Sequence, residues 1–151
     1  TGCERRFQLI GELESGAVLY DDYAHHPTEI AATLNTVKRL AYSRAVVIHQ
    51  PHTYSRLQGL YDDYAELFRA GKVLSGSDVV IFADIYAARE NAEDFSVSSE
   101  KLAKDTGRLY LGGFDKIARW IDDNTREGDI VLTVGAGDIV KITGMVRMKG
   151  K

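Results

Sequence analysis

The stretch VLYDDYAHHPTEI, residues 18–30, changes from a strand pattern to a helical pattern across a short polar turn. Residues 17–21 predict a strand, and Pro27 suits the first turn of a helix, where its missing N–H costs no hydrogen bond. The turn between them carries Asp22, Tyr23, His25 and His26. Ligands of α/β proteins bind beyond the carboxyl ends of strands. The stretch therefore predicts an α/β fold with a candidate binding site at this edge.

Strands and helices alternate along the rest of the chain. Hydrophobic patterning predicts further strands at 6–13, 45–48, 78–85, 108–111 and 129–134. Apolar residues at helical spacing predict helices that begin at Pro27, at Phe114 and at Ile139, and one at 98–104. They also predict one helix that Ser55 caps and whose buried side runs to Phe68. Residues 89–95 read as a loop. This order favours a mostly parallel sheet of about six strands with helices on both faces. The first two strands predict an antiparallel hairpin at one edge.

The composition bounds the class of protein. The 151 residues fit a single domain, 1–151, that can bury a core. A net charge of −3 without a basic run gives nucleic-acid binding little support. No apolar run approaches the roughly 20 residues that span a membrane, and we expect no signal peptide. The lone Cys3 excludes an internal disulfide framework and suits a reducing cytosol. The opening TGCERRF lacks Met, so we expect a fragment of a longer chain.

Two more polar turns follow predicted strands. In HQPHTYSR, residues 49–56, His49 reads as a core histidine or a ligand, whereas Arg56 can hold a carboxylate or phosphate through two hydrogen bonds. In VGAGD, residues 134–138, glycine lets the backbone approach a ligand, but on the residues alone a tight structural turn with Asp138 as a helix cap is the favoured reading. The segment YAAREN, residues 86–91, lines the same edge or is an ordinary loop.

Other readings of these turns remain open on residue chemistry alone. Residues 22–26 fit an aspartate cap with surface histidines, or an anion site at the free N–H groups of the next helix. A metal-dependent hydrolase would use His25, His26, His49 and His52, although no His-x-x-x-His pair lies on a helix. The sequence contains no G-x-S-x-G motif, so it does not predict a nucleophilic serine. A non-catalytic module that binds a small anion also fits.

The ordered set of segments resembles the C-terminal domain of the Mur ligase family. The segments are GCERRF (2–7), DDYAHHPTEI (21–30), QPHTYSR (50–56), YAAREN (86–91), VSSE (97–100) and VGAGDI (134–139). The resemblance covers nearly the whole chain and is strongest with the branch that joins L-alanine to UDP-N-acetylmuramate. A murein-peptide recycling ligase resembles the first motif and differs in the QPHTYSR segment.

The resemblance implies a Rossmann-like domain of an ATP-dependent ligase of bacterial peptidoglycan synthesis, a cytoplasmic process. Such a ligase makes an acyl phosphate, which the amine of L-alanine attacks. The family has two further domains, and its Mg²⁺ ligands and phosphate loop belong to the central one; this chain contains no G-x-x-x-x-G-K-[ST]. By this analogy the domain closes over the central one and excludes water. We expect the isolated domain to be inactive.

The resemblance also implies roles for single residues. Arg6 and Asp22 would contact ATP, together with His26. The residues expected on the amino-acid side are Tyr23, His25, His52, Arg56 and Ala136. Apart from the resemblance, His25 and His26 are the only candidates for a general base, because histidine titrates near neutrality; positioning and charge stabilisation can also suffice without a base. Thr53 stands where many relatives carry Arg, which removes one possible anion contact, and Leu57 replaces a common Thr.

Overall fold

The computed structural model describes residues 6–150, which fold around one mixed β-sheet. Its strands are β1 (Gln8–Glu12), β2 (Val18–Asp22), β3 (Arg44–His49), β4 (Val79–Phe82) and β5 (Asp129–Val134), in the spatial order β1-β2-β5-β3-β4. The helices are α1 (Pro27–Lys38), α2 (Tyr54–Gly59), α3 (Tyr61–Phe68), α4 (Ser99–Thr106) and α5 (Phe114–Asn124), with 3₁₀ turns at Ala92–Asp94 and Asp138–Gly144. Within the described residues, no helix is long and apolar enough to cross a bilayer.

The predicted sheet is confirmed. β1 pairs antiparallel with β2, whereas β2, β5, β3 and β4 pair in parallel. The expected strand at 108–111 is reduced to a parallel bridge, in which Leu109 bonds to Val80 and Phe82 at the β4 edge. The chain then turns at Gly112, whose φ of 99° favours glycine, and enters α5.

Alternate strand residues face opposite sides of the sheet, as the pleat requires. On one face, Val47 packs in a core with α1, α3 and α4, through residues such as Leu34 and Phe68. On the other face, Val46 and Ile48 pack with α5 and the last 3₁₀ turn. Both faces of the central strands are therefore dry, which explains their unbroken apolar runs.

Three local predictions are wrong. The helix expected from Ser55 begins at Tyr54, and the side chain of Thr53 in the N-cap position makes no cap hydrogen bond. The chain breaks at Leu60, so α2 and α3 replace one longer helix. The closing helix is a 3₁₀ turn that begins at Asp138; Gly137 holds its N-cap position, so Asp138 is not the cap.

Candidate functional site

Main-chain hydrogen bonds bring the three predicted turns to one edge of the sheet. Gly135 N donates to Asp22 O at 3.1 Å, and Gln50 N donates to Val134 O at 3.1 Å. Tyr86 N donates to Pro51 O at 2.9 Å, which adds the loop after β4. We call this edge the rim, formed by residues 22–26, 50–56, 86–90 and 135–138. The predicted convergence of the three turns is confirmed.

A row of aromatic rings runs along the rim. The ring centroid of His25 lies 5.9 Å from that of Tyr23 and 5.8 Å from that of His52. The ring of His52 in turn stacks on Tyr86, with 5.2 Å between centroids and 8° between planes. Three residues that the sequence placed in one site, Tyr23, His25 and His52, are therefore neighbours.

Three polar atoms of the rim are buried without a hydrogen-bond partner. They are His25 Nδ1, His52 Nδ1 and Arg56 Nη1. His25 Nδ1 lies 3.5 Å from Glu29 Oε1 but lacks hydrogen-bond geometry. An unpaired buried polar group costs about 1–3 kcal/mol, so such groups are rare in folded proteins. Their concentration at one place marks a surface that is suited to a polar ligand.

The electrostatics keep His52 neutral near pH 7. Burial lowers its pKa below the ordinary value, and electrostatic interaction with His25 and with the Arg56 guanidinium lowers it further. A neutral imidazole presents one lone pair and one N–H. Nδ1 of His52 can therefore either accept or donate a hydrogen bond, depending on its tautomer.

His49 lies beneath the rim rather than on it. It is fully buried, with its ring stacked on Phe68 at 5.1 Å and on Tyr64 at 5.9 Å. Nδ1 pairs with Val134 O at 2.9 Å, while Nε2 has no partner. Burial lowers the pKa of His49 to about 4. Of the two readings, the core histidine is confirmed.

The start of α1 is capped by the protein itself, which takes up N–H groups that the anion-site reading would use. His26 Nδ1 accepts from Thr28 N at 3.1 Å. Glu29 Oε1 accepts from His26 N and His25 N at 3.2 and 3.3 Å. Burial of Glu29 opposes its ionisation, but these N–H groups outweigh it and hold its pKa below the ordinary value.

The residues expected to contact ATP lie at the β2 end of the rim. The Asp22 carboxylate is buried and accepts from Phe7 N, Ala24 N and Thr33 Oγ1 at 3.2, 2.8 and 2.9 Å. Arg6 is exposed, with Nη2 3.5 Å from Glu29 Oε2. Their contact with a nucleotide stays a prediction.

Gln50 is a site residue that sequence reasoning missed. Its side chain is buried; Nε2 donates to Asp138 Oδ1 at 2.9 Å, and Oε1 accepts from Ile139 N at 3.1 Å. A Cβ on Gly137 would lie 2.5 Å from Gln50 Oε1 and 2.7 Å from the Tyr86 ring. The glycine turn is therefore close to protein atoms on this side, and the half-buried Ala136 lies at its centre. The signal for Gln50 was its position directly after a strand.

The YAAREN segment lines the rim, as one of its two readings expected. Besides Tyr86, it supplies Glu90, whose Oε1 accepts from Ser55 N at 3.1 Å and whose Oε2 accepts from Ser55 Oγ. The hydrogen bond from the Ser55 side chain lowers the pKa of Glu90. Glu90 therefore holds the first turn of α2, the helix that carries Arg56.

The four histidines do not form the metal centre of the hydrolase reading. His49 is enclosed in the core, and His26 uses Nδ1 to cap α1. Among residues 6–150, no group of three His, Cys, Asp or Glu side chains could hold a metal ion.

Comparison with known sequences gives one consistent result. The family model of the Mur ligase glutamate ligase domain matches residues 5–137. The UDP-N-acetylmuramate–L-alanine ligases of Alkaliphilus metalliredigens and Caldicellulosiruptor saccharolyticus are 45% and 44% identical to this chain. Each match covers 96% of this chain and 31% of the relative. The chain thus spans about a third of the length of the curated relatives it matches.

Solved structures show the same fold. The UDP-N-acetylmuramate-alanine ligase of Thermotoga maritima superposes with a TM-score of 0.67 at 23% identity, over 93% of this chain and 28% of that chain. A murein peptide ligase of Psychrobacter arcticus gives a TM-score of 0.69 at 23% identity, over 92% and 28%.

Proposed function

The chain belongs to the Mur ligase family as its C-terminal domain, and from this premise we propose that it binds the amino acid in an ATP-dependent ligase that joins L-alanine to UDP-N-acetylmuramate. Relatives at 41–45% identity are UDP-N-acetylmuramate–L-alanine ligases, which supports this choice of substrates. The observation that carries the proposal is the group of unpaired buried atoms at the rim.

Arg56 is proposed to hold the carboxylate of L-alanine. Its Nη1 is buried and unpaired, so a carboxylate oxygen would restore the hydrogen bond that the fold leaves unmade. Arginine binds carboxylates through paired N–H groups, which fixes orientation as well as position. Tyr23 and Ala136 would complete the walls of this amino-acid site, as expected from the sequence.

The reaction forms an amide at the muramoyl carboxyl group. Transfer of the γ-phosphoryl group of ATP to a carboxylate oxygen gives an acyl phosphate and ADP. The neutral amine of L-alanine attacks the carbonyl carbon, phosphate leaves, and the nitrogen loses a proton. His25 is the better of the two base candidates, because its Nδ1 is unpaired whereas that of His26 caps α1.

The residues of this chain would supply only a few of the contacts to ATP. The Arg6 guanidinium is 53% exposed and weakly paired, so it can exchange Glu29 for a phosphate. Asp22 and His26 already serve other groups, and their nucleotide contacts would use remaining lone pairs or His26 Nε2. The Mg²⁺ ligands are proposed to lie in the part of the relatives that this chain does not cover. The bacterial cytoplasm stays the predicted location.

The rim is proposed to face the remaining domains of a full-length ligase. Closure would bring the amine of L-alanine to the acyl phosphate and keep water from that reactive group. Since this sequence contains no phosphate loop of the G-x-x-x-x-G-K-[ST] type, the isolated domain should not turn over substrate.

Phosphate release by the full-length protein tests the proposal. It should require ATP, UDP-N-acetylmuramate and L-alanine together, and residues 1–151 alone should give none. Release with L-alanyl peptides in place of L-alanine would favour the murein-peptide recycling ligase. Ligand binding without release under any combination would favour the non-catalytic anion-binding module.

A further inference from the structure

A second pocket lies beside the proposed amino-acid site. It measures about 310 Å³, and its lining includes Gln50, Asp84, Tyr86, Gly113, Phe114 and Asp138. His25, His52 and Arg56 do not line it. The pocket is thus separate from the unpaired polar atoms of the rim, although it lies next to them.

Tyr86 lies between the proposed amino-acid site and the second pocket. Its ring stacks on His52 with 8° between planes and packs so closely on Gly137 that a Cβ there would lie 2.7 Å away. The residue is 37% exposed, yet its backbone is fixed by the hydrogen bond to Pro51 and by a parallel bridge to His52. The aromatic ring therefore spans the gap between the turn after β3 and the turn after β5.

We infer that Tyr86 is a specificity-determining residue, whose ring closes the amino-acid site on the side of the second pocket and limits the bound side chain to the size of a methyl group. This inference rests on the proposed function. A larger amino-acid side chain would have to displace a ring that is held between His52 and Gly137. Without the ring, the site and the pocket would join, and longer side chains would gain room.

The experiment compares amino acids in the full-length ligase. We measure kcat/KM for L-alanine, L-2-aminobutyrate and L-norvaline with the unmodified protein and with Tyr86→Ala. The ratio of L-2-aminobutyrate to L-alanine should rise at least about tenfold in Tyr86→Ala, since one methylene is discriminated by roughly 10–200-fold in a closed pocket. Tyr86→Leu removes the planar ring and keeps an apolar side chain, and it should raise the ratio as well. It serves as the test if Tyr86→Ala folds poorly.

Two controls distinguish an effect of the Tyr86 ring from a general loosening of the site. Tyr86→Phe keeps the ring and should keep the selectivity. Phe114→Ala enlarges the second pocket at a different lining residue and leaves the Tyr86 ring in place. It should therefore also keep the ratio of L-2-aminobutyrate to L-alanine.

An unchanged ratio in Tyr86→Ala and Tyr86→Leu, with the unmodified enzyme active on L-alanine, overturns the inference alone. An equal shift in Phe114→Ala overturns it too. If the unmodified protein shows no L-alanine-dependent phosphate release, the proposed function fails, and the inference fails with it.

Discussion

His25 and His52 lie side by side on the rim, with ring centroids 5.8 Å apart, although they follow different strands. Nδ1 of each is buried and unpaired, as is Nη1 of Arg56. Burial lowers the pKa of His52, and electrostatic interaction with His25 and Arg56 lowers it further, so the three groups are coupled. A ligand that binds here meets a guanidinium beside a neutral imidazole.

Arg56→Ala in the full-length ligase should raise KM for L-alanine by about ten- to a hundredfold, with little change in KM for ATP. The reason is that a hydrogen bond to a charged group is worth roughly 1.5–3 kcal/mol. Steady-state kinetics with each substrate varied in turn give both constants. Arg69→Ala, at the exposed end of α3, is the matched control and should leave both unchanged. Unaltered alanine kinetics in Arg56→Ala would refute the assigned role.

Glu90→Gln should raise KM for L-alanine less than Arg56→Ala does. Glu90 holds Ser55 at the start of α2, where a nearby negative charge favours the helix but is screened by solvent. We therefore expect an effect of roughly two- to fivefold, with KM for ATP and the melting temperature nearly unchanged. Glu93→Gln, on the exposed turn nearby, is the control. A loss of kcat with an unaltered KM would contradict this positioning role.

Gly137→Ala should destabilise the domain by about 1–3 kcal/mol, because its Cβ would overlap Gln50 Oε1 and the Tyr86 ring. Urea unfolding of residues 1–151 measures the change. Gly76→Ala adds a methyl group where no atom lies within 4 Å and should be close to neutral. Equal unfolding free energies of the two variants would mean that the glycine turn accommodates a Cβ at position 137 without destabilising the domain.

His49 should make the stability of the domain fall in mild acid. Its pKa is lowered from 6.5 to about 4 in the folded state, so the unfolded chain binds the extra proton first as pH falls. The stabilisation is complete above pH 6.5 and is lost as pH falls toward 4. By linkage, His49 accounts for about 2 kcal/mol of unfolding free energy lost between pH 7.5 and 5.

Urea unfolding at both pH values measures this loss. His49→Phe should reduce it by that amount, whatever its effect at pH 7.5. Leu34→Ala, in the same core, should lower stability by about 2–5 kcal/mol at both pH values and keep the pH dependence. A His49→Phe domain with the original pH dependence would show that the buried imidazole does not titrate as inferred.

The sequence predicted the strands, most helices and the meeting of the three turns, because hydrophobic period and the strand-end rule are local or topological properties. It did not predict the contacts between distant side chains. Gln50 reaches Asp138, and Glu90 reaches Ser55; neither pair has a sequence pattern. The break at Leu60 was missed for a related reason, since the apolar spacing continues across it.

The main-chain hydrogen bonds that join Gly135 to Asp22 and Gln50 to Val134 use no side-chain atom. The architecture of the edge can therefore persist while the outward-pointing groups are exchanged. Evolution could retune which molecule is accepted through a few replacements, without rebuilding the scaffold beneath them.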